Sequence, residues 1–381
     1  MSEFTLEIPT KIYFGNNITE KAIEQESRWM HGTIMLITTG KTLTVMGYVK
    51  KLQELLERMP GVREVLVFDK ISPNPKLSEV NEAVCIGKIK CVSCVIGFGG
   101  GSALDAAKAA AVGIGSNKTL ESYLLRGDAP GTETLPVIAV PTTAGTGSEL
   151  SKGAILSSPE YHIKAGIRGE HIYPKAAIVD PVYTWSVPKK VTMETGFDVL
   201  SHGIESYLAV KSTPFSEMLS EKAISIVADS LPALYKNLDN RGAREAMSYA
   251  SMLMGMNLAN AGTCLPHRMQ YAVGAVTDTS HGAGLAAMYP SWIAHEYEVN
   301  PVKVKRLLFI LCNQNVENKE EAGSCIRDFL EQLDLRYTLG GLGIKSEELP
   351  ALSEAVTGNL KNDSLSIHKG CIAEIFAESL H

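Results

Sequence analysis

The feature that most limits the fold is a change of texture near residue 182. Before it, short apolar runs alternate with stretches of helical periodicity; after it, helix-compatible stretches dominate. Thr33–Thr39 (T-I-M-L-I-T-T) reads as a central strand passing into a helix near Thr42, and Lys50–Met59 as an amphipathic helix closed by Pro60-Gly61. Val65–Phe68 is a second strand, Leu77–Ile89 a helix and Cys91–Gly97 a third strand. Ser102–Val112, rich in alanine, is a helix suited to close packing, and Pro136–Val140 and Ala177–Val179 are further strands. This alternation predicts a doubly wound, mostly parallel sheet. Beyond it, helices are expected over Pro188–Lys211, Pro214–Asn237, Ala243–Asn260 and Pro301–Cys312. Three more are expected over Lys319–Leu333, Ser346–Gly358 and His368–Ser379. The expected organisation is an α/β domain over 1–182 and an all-α domain over 183–381, two domains being what 381 residues favour.

Net charge is −6 and no basic block stands out, which argues against a nucleic-acid partner. No apolar run approaches the roughly 18 residues that span a bilayer, so no membrane partner is expected. The opening M-S-E-F-T-L-E lacks the pattern of a secretion signal, and the seven cysteines are an odd count. Reduced thiols in a cytoplasmic protein are the expectation. Cys91-Val-Ser-Cys94 matches C-x-x-C, but no second pair follows at zinc-ribbon spacing and the segment reads as a buried strand, so core packing is its expected role.

Chemistry concentrates in three places. After the third strand comes G-F-G-G-G-S-A-L-D-A-A-K, in which Gly99, Gly100, Gly101 and Ser102 lead into a helix. Glycines let the backbone approach an anion, and the helix start offers free N–H groups and its dipole, as a pyrophosphate requires. The bland alternative is a tight turn with close helix-on-sheet packing. P-T-T-A-G-T-G-S-E follows the next strand, and its Thr142, Thr143, Thr146 and Ser148 offer hydroxyls. In an open parallel sheet both loops leave the carboxyl ends of strands, where ligands bind. The third place runs from Gly196 to Gly284. Asp198 and His202 are four apart and share a helix face, while His267 and His281 are fourteen apart, with Gly274 and Gly282 arguing against a single helix between them. One carboxylate and three imidazoles suit Zn²⁺ or Fe²⁺ with a coordination position left open.

Taken together, the motifs resemble the iron-containing (group III) alcohol dehydrogenases, which share a fold with glycerol dehydrogenase and dehydroquinate synthase. Tyr13-Phe14-Gly15, the two loops, Ile178-Val179-Asp180-Pro181 and the Asp/His set occur in the family's order across the whole chain. The resemblance implies a nucleotide-binding α/β domain, a helical domain, and a nicotinamide and divalent metal that meet between them. It implies Asp198, His202, His267 and His281 as metal ligands, Gly99–Ser102 as the pyrophosphate loop and Thr142, Thr143 and Thr146 as the second cofactor loop. Lys164, in I-K-A-G-I, matches a lysine that reaches the cofactor ribose. The implied reaction is hydride transfer between NAD(P) and a short aldehyde or alcohol whose oxygen the metal polarises. The resemblance also implies a homodimer or higher homo-oligomer. The ligand set argues against the related synthase-type lyases, which use Glu and two His, and against a binding protein without turnover.

Three positions depart from the family's pattern. Tyr271 stands where a histidine is common; it shapes the pocket or stands in for that histidine, although a phenol is a poor base near neutrality. Gly40, followed by Lys41 and Thr42, stands where NAD-preferring relatives often place Asp, so a 2′-phosphate meets no repulsion and NADP is permitted. Arg268 follows a ligand where a small neutral residue is usual. Its guanidinium faces solvent or an internal carboxylate, or it pairs with an anionic substrate tail such as that of sulfoacetaldehyde or phosphonoacetaldehyde.

Overall fold

The strands of the computed structural model, which describes residues 3–161, 163–367 and 370–381, are β1 (Lys11–Phe14), β2 (Gly32–Thr39), β3 (Val62–Ile71) and β4 (Val92–Gly99). They continue with β5 (Val137–Pro141), β6 (Gly153–Ser158), β7 (Ile163–Arg168) and β8 (Ala176–Val179). Six of them form one sheet in the order β1-β8-β5-β4-β2-β3, and every pairing in it is parallel. The helices between them are α1 (Thr19–Gln25), α2 (Thr42–Val45), α3 (Tyr48–Glu57), α4 (Leu77–Ile89), α5 (Gly101–Gly115) and α6 (Leu120–Arg126).

Continuous apolar runs produce this arrangement, because a parallel sheet is covered on both faces. Along β2, Met35 and Ile37 enter one core cluster with the α5 alanines, while Ile34 and Leu36 enter the other with Ile96 and Ile138. The α5 alanines let the helix lie close on the sheet: a Cβ at Gly97 would stand 2.9 Å from Ala107 Cβ and 3.2 Å from Leu104 Cα. Cys94 belongs to this core, fully buried, and burial pushes its thiol up to about 12, while Cys91 is exposed in a left-handed turn at φ 50°. Core packing thus accounts for Cys94, whereas Cys91, expected in the same buried strand, lies exposed in the turn before it. The chain crosses from β3 over β2 to β4, so the topological switch lies between β2 and β4, and the loops after β2, β4 and β5 leave from one sheet edge.

Several boundaries differ from the sequence reading. The helix near Thr42 is one turn, because Gly47 at φ 78° separates α2 from α3. Edge strand β1 was not expected, since Lys-Ile-Tyr-Phe is half polar and only Tyr13 is buried. The antiparallel hairpin β6–β7 was not expected either; glycines and serines dilute its apolar pattern.

The chain forms two compact units. The first comprises Ile8–Thr143 and Gly147–Ser186; the second comprises Val187–His381 with Ala144–Thr146 and the N-terminal segment ending at Glu7. The helices of the second are α7 (Lys189–Leu208), α8 (Pro214–Lys236), α9 (Arg241–Asn260), α10 (Leu265–Thr277) and α11 (His281–Val299). They are followed by α12 (Pro301–Cys312), α13 (Lys319–Gln332), α14 (Leu349–Glu354) and α15 (Cys371–Glu378), with no strand among the described residues. The helix expected over Ser346–Gly358 is a short 3₁₀ turn followed by α14 and stops before Gly358, at φ 99°. The start expected at His368 falls outside the described residues. Among the described residues, no helix is long and apolar enough to cross a membrane.

Close packing at Gly97 yields a test. Gly97→Val should destabilise the protein by roughly 1–3 kcal/mol through overpacking against Ala107 and Leu104, read as a lower urea midpoint by far-UV circular dichroism. An unchanged midpoint would contradict the packing described.

Candidate metal centre and cofactor loops

Helix α7 supplies the first half of the centre. Asp198, His202 and Glu205 are spaced i, i+4, i+7, so they share one face, and all three are buried. Helix α10 supplies His267. Its start is pinned by two buried carboxylates: the Cys264 N–H donates to Glu205 Oε2 at 2.8 Å and the Leu265 N–H to Asp363 Oδ2 at 2.8 Å. Gly274 stays within α10; the break falls instead at Asp278, left-handed at φ 51°, after which His281 opens α11. The start of α11 lies hard against α7, since a Cβ at Gly282 would come 2.5 Å from Glu194 O.

These elements bring three imidazole nitrogens around one carboxylate oxygen. Asp198 Oδ1 lies 3.6 Å from His202 Nε2, 3.5 Å from His267 Nε2 and 3.5 Å from His281 Nε2. Donor atoms of Asp198, His267 and His281 all fall within 4.8 Å of one another, and the His202 ring stacks on His267 at 4.6 Å. Asp198 Oδ1 and His267 Nε2 are buried with no hydrogen-bond partner. Ligands on tetrahedral arms of about 2.1 Å stand roughly 3.4 Å apart, so these spacings and unpartnered donors fit a divalent cation such as Fe²⁺ or Zn²⁺.

Electrostatics point the same way. Burial alone would raise the Asp198 carboxyl, but the imidazoles of His202, His281 and His267 outweigh it and hold it well below the usual carboxylate range. Burial pulls His202 down, against the opposing pull of Asp198. With no cation among them, burial would also lower His267, but the Glu205 and Asp198 carboxylates outweigh it and raise the imidazole to about 10. Two carboxylates that hold a proton there favour a divalent cation in its place.

Two partners of the cluster escaped the sequence reading. Glu205 Oε1 accepts from His267 Nδ1 at 2.7 Å, and Gln270 Oε1 pairs with His281 Nδ1 at 2.5 Å. The i+7 spacing from Asp198 was the available signal for Glu205; Gln270 had none beyond being three residues after His267.

Arg268 and Tyr271 sit beside the cluster. The Arg268 guanidinium lies over the Tyr271 ring at 5.3 Å from the centroid, and that ring lies 6.2 Å from the His281 ring. Arg268 Nη2 donates to Thr263 Oγ1 at 3.0 Å, and its Nε is buried without a partner. Among the described residues no carboxylate forms an ion pair with it.

In the α/β unit, the two loops expected to hold a cofactor meet. The Thr142 N–H donates to Gly99 O at 2.9 Å, and a Cβ at Gly100 would come 3.2 Å from Thr143 Oγ1. Gly100 is the N-cap of α5, with Gly101 and Ser102 in its first turn. Thr146, in contrast, clusters with the helical unit together with Ala144 and Gly145, whose N–H donates to Ser251 Oγ at 2.9 Å. Lys164 on β7 donates to Asn74 Oδ1 at 2.8 Å, in the loop after β3. Gly40 is left-handed at φ 53°, and Lys41 and Thr42 are exposed at the start of α2.

Lys108, not singled out in the sequence, ties this edge together. It is wholly buried, donates to Ser148 Oγ at 2.7 Å, Ser148 O at 3.0 Å, Ser151 Oγ at 3.1 Å and Gly153 O, and pairs with Asp105 at 3.1 Å. Burial lowers its ammonium pKa despite Asp105. The same burial pushes the neighbouring Glu149 carboxyl up to about 7.

A doubly wound sheet with joined glycine loops at its carboxyl edge, and a helical unit with a carboxylate–imidazole cluster, are what a protein that uses a dinucleotide and a divalent metal requires. Comparison with known proteins makes this specific. The family described as iron-containing alcohol dehydrogenase matches residues 9–181, and the C-terminal part of the Fe-containing alcohol dehydrogenase family matches 192–380. The chain belongs to the iron-containing alcohol dehydrogenase family. It is 30% identical to a sulfoacetaldehyde reductase of Bilophila wadsworthia (strain 3_1_6), covering 88% of this chain and 87% of the relative. It is 29% identical to a 1,3-propanediol dehydrogenase of Klebsiella pneumoniae, covering 98% and 97%. Among solved structures, an alcohol dehydrogenase from an archaeal halo-thermophile of a Red Sea brine pool superposes with a TM-score of 0.93 at 27% identity over all of both chains. A sulfoacetaldehyde reductase from Bifidobacterium kashiwanohense in complex with NAD⁺ gives 0.86 at 27% identity over 99% of each. The protein is thus an oxidoreductase of the alcohol dehydrogenase and aldehyde reductase type, in a family that uses NAD(H) and a divalent metal.

The centre gives two expectations. His267→Ala should abolish stoichiometric Fe²⁺ or Zn²⁺ binding by elemental analysis; retained stoichiometry would remove His267 from the ligand set. Because a cation must displace the proton held between Glu205 and Asp198, affinity for Zn²⁺ should rise about tenfold per pH unit between 6 and 8 in competition with a chelator. A flat pH dependence would contradict the displacement.

Proposed function

We propose that this enzyme reduces short-chain aldehydes that carry an anionic tail, with Asp198, His202, His267 and His281 as metal ligands. Residues 1–182 act as the NAD(P)-binding domain and 183–381 as the metal-binding catalytic domain. When bound, the nicotinamide supplies the hydride and the divalent metal supplies Lewis acidity toward the carbonyl oxygen.

The chain's own residues do the rest. Gly99–Ser102 offer backbone N–H groups at the α5 start to the pyrophosphate, with Thr142, Thr143 and Thr146 in the second loop. Lys164 reaches the ribose. Gly40 places no carboxylate against the adenosine ribose, and Lys41 and Thr42 offer a cation and a hydroxyl, so NADPH serves as well as NADH. Tyr271 carries Arg268 on its ring beside His281 and shapes the pocket. The observation that carries the substrate reading is Arg268: a guanidinium with no carboxylate partner among the described residues and a buried, unpartnered Nε, lying over the ring of Tyr271 three residues further along α10. The kinship to sulfoacetaldehyde reductases supports it. The kinship to 1,3-propanediol dehydrogenases favours a second reading, a neutral short alcohol or aldehyde as substrate. By resemblance we take the enzyme as a homodimer or higher homo-oligomer, and from its cysteine usage as cytoplasmic.

The two readings separate by experiment. Arg268→Ala should lower kcat/KM for sulfoacetaldehyde roughly 10–100-fold, the loss of a charge-assisted hydrogen bond, and leave propionaldehyde within a few-fold. Equal selectivity in the two proteins selects the neutral substrate. Lys41→Ala should lower the NADPH-to-NADH ratio of kcat/KM roughly two- to fivefold, the worth of an exposed ion pair; an unmoved ratio would remove Lys41 from cofactor choice.

A further inference from the structure

The cluster contains a second pattern that ligand identity does not explain. Two of its imidazoles are held the same way: Nδ1 faces a buried oxygen acceptor, and Nε2 faces Asp198 Oδ1 at 3.5 Å. For His267 the acceptor is Glu205 Oε1 at 2.7 Å; for His281 it is Gln270 Oε1 at 2.5 Å. Glu205 and Gln270 are both 0% exposed, so solvent cannot take their place. A neutral imidazole carries one proton, and an oxygen at Nδ1 draws it there, leaving the Nε2 lone pair free.

The two acceptors are built into the helices that carry the ligands. Glu205 comes from α7 and its other oxygen, Oε2, accepts the Cys264 N–H at the start of α10 at 2.8 Å. One carboxylate thereby fixes both the tautomer of His267 and the helix end that bears it. An amide at 205 has a single oxygen for two N–H donors. Gln270 comes from α10, and the room for its side chain is made on α11, where a Cβ at Gly284 would come 3.0 Å from Gln270 Cγ. Its NH₂ is buried with no partner, so the ring is what the amide engages.

We propose that Glu205 and Gln270 are positioning residues that set the Nδ1–H tautomers of His267 and His281 and so aim both Nε2 lone pairs at the bound cation. This rests on the metal-site reading. Outer partners of ligating histidines typically change metal affinity 10–100-fold, and that is the scale expected here.

The test uses the full-length protein, stripped of metal and reloaded with Zn²⁺ or Co²⁺. Glu205→Gln and Gln270→Leu should each weaken Zn²⁺ binding about 10–100-fold in competition with a chelator, and should alter the cobalt d–d spectrum. Gln270→Glu keeps the acceptor and should retain affinity within about threefold of wild type, with a wild-type-like cobalt spectrum. Wild-type affinity and spectrum in Gln270→Leu would overturn the proposal, as would a loss in Gln270→Glu equal to that in Gln270→Leu. Should Glu205→Gln not fold, the two Gln270 variants decide alone. Asp198→Ala separates the two levels: if the wild type takes up no metal, or Asp198→Ala keeps it, the metal-site reading itself fails.

Discussion

A carboxylate buried to 3% exposure, with three imidazoles at 3.5–3.6 Å from one of its oxygens, is the constraint on which the helical unit turns. Such a group costs several kcal/mol to remove from water unless a cation or strong donors meet it. None of the three Nε2 atoms stands at normal hydrogen-bond length from Asp198 Oδ1. The separations are those of ligands about a common cation rather than of donors and an acceptor. Local structure holds that spacing: α7 sets Asp198 against His202, the Asp278 reversal returns the chain to present His281, and Glu205 and Asp363 fix the start of α10.

The α/β unit answers a different demand, that of keeping two loops at one sheet edge in register. The Thr142-to-Gly99 hydrogen bond joins them directly, and Lys108 joins α5 to the segment after the second loop through Ser148, Ser151 and Gly153. The buried lysine is tolerated because carbonyls, hydroxyls and Asp105 surround its ammonium. Family membership makes the two devices parts of one oxidoreductase.

Much of this was legible in the sequence, for identifiable reasons. Strands buried on both faces, such as β2 and β4, announce themselves as continuous apolar runs, and the D-x-x-x-H pair fixes its own geometry through helical spacing. The edge strand β1 and hairpin β6–β7 were not legible, because half-solvated strands with glycine and serine carry little apolar pattern. That no single helix joins His267 to His281 was legible, but not the place of the break: Gly274 stays inside α10, where a glycine costs only about 1 kcal/mol, and the left-handed Asp278 sets the boundary. Gln270 and Lys108 were illegible, since what they do lies in contacts between elements distant in sequence, and Glu205 had only its i+7 spacing from Asp198 to mark it.

Lys108 has a practical corollary. Its amine is sealed at 0% exposure beneath the carboxyl edge of the sheet, while most lysines of such a surface stand in water. Reagents that acylate amines reach it only when α5 parts from the segment that follows the second loop. The extent of its labelling over time is therefore a clock for local opening of that edge, readable by peptide mass spectrometry on a single residue, independent of turnover.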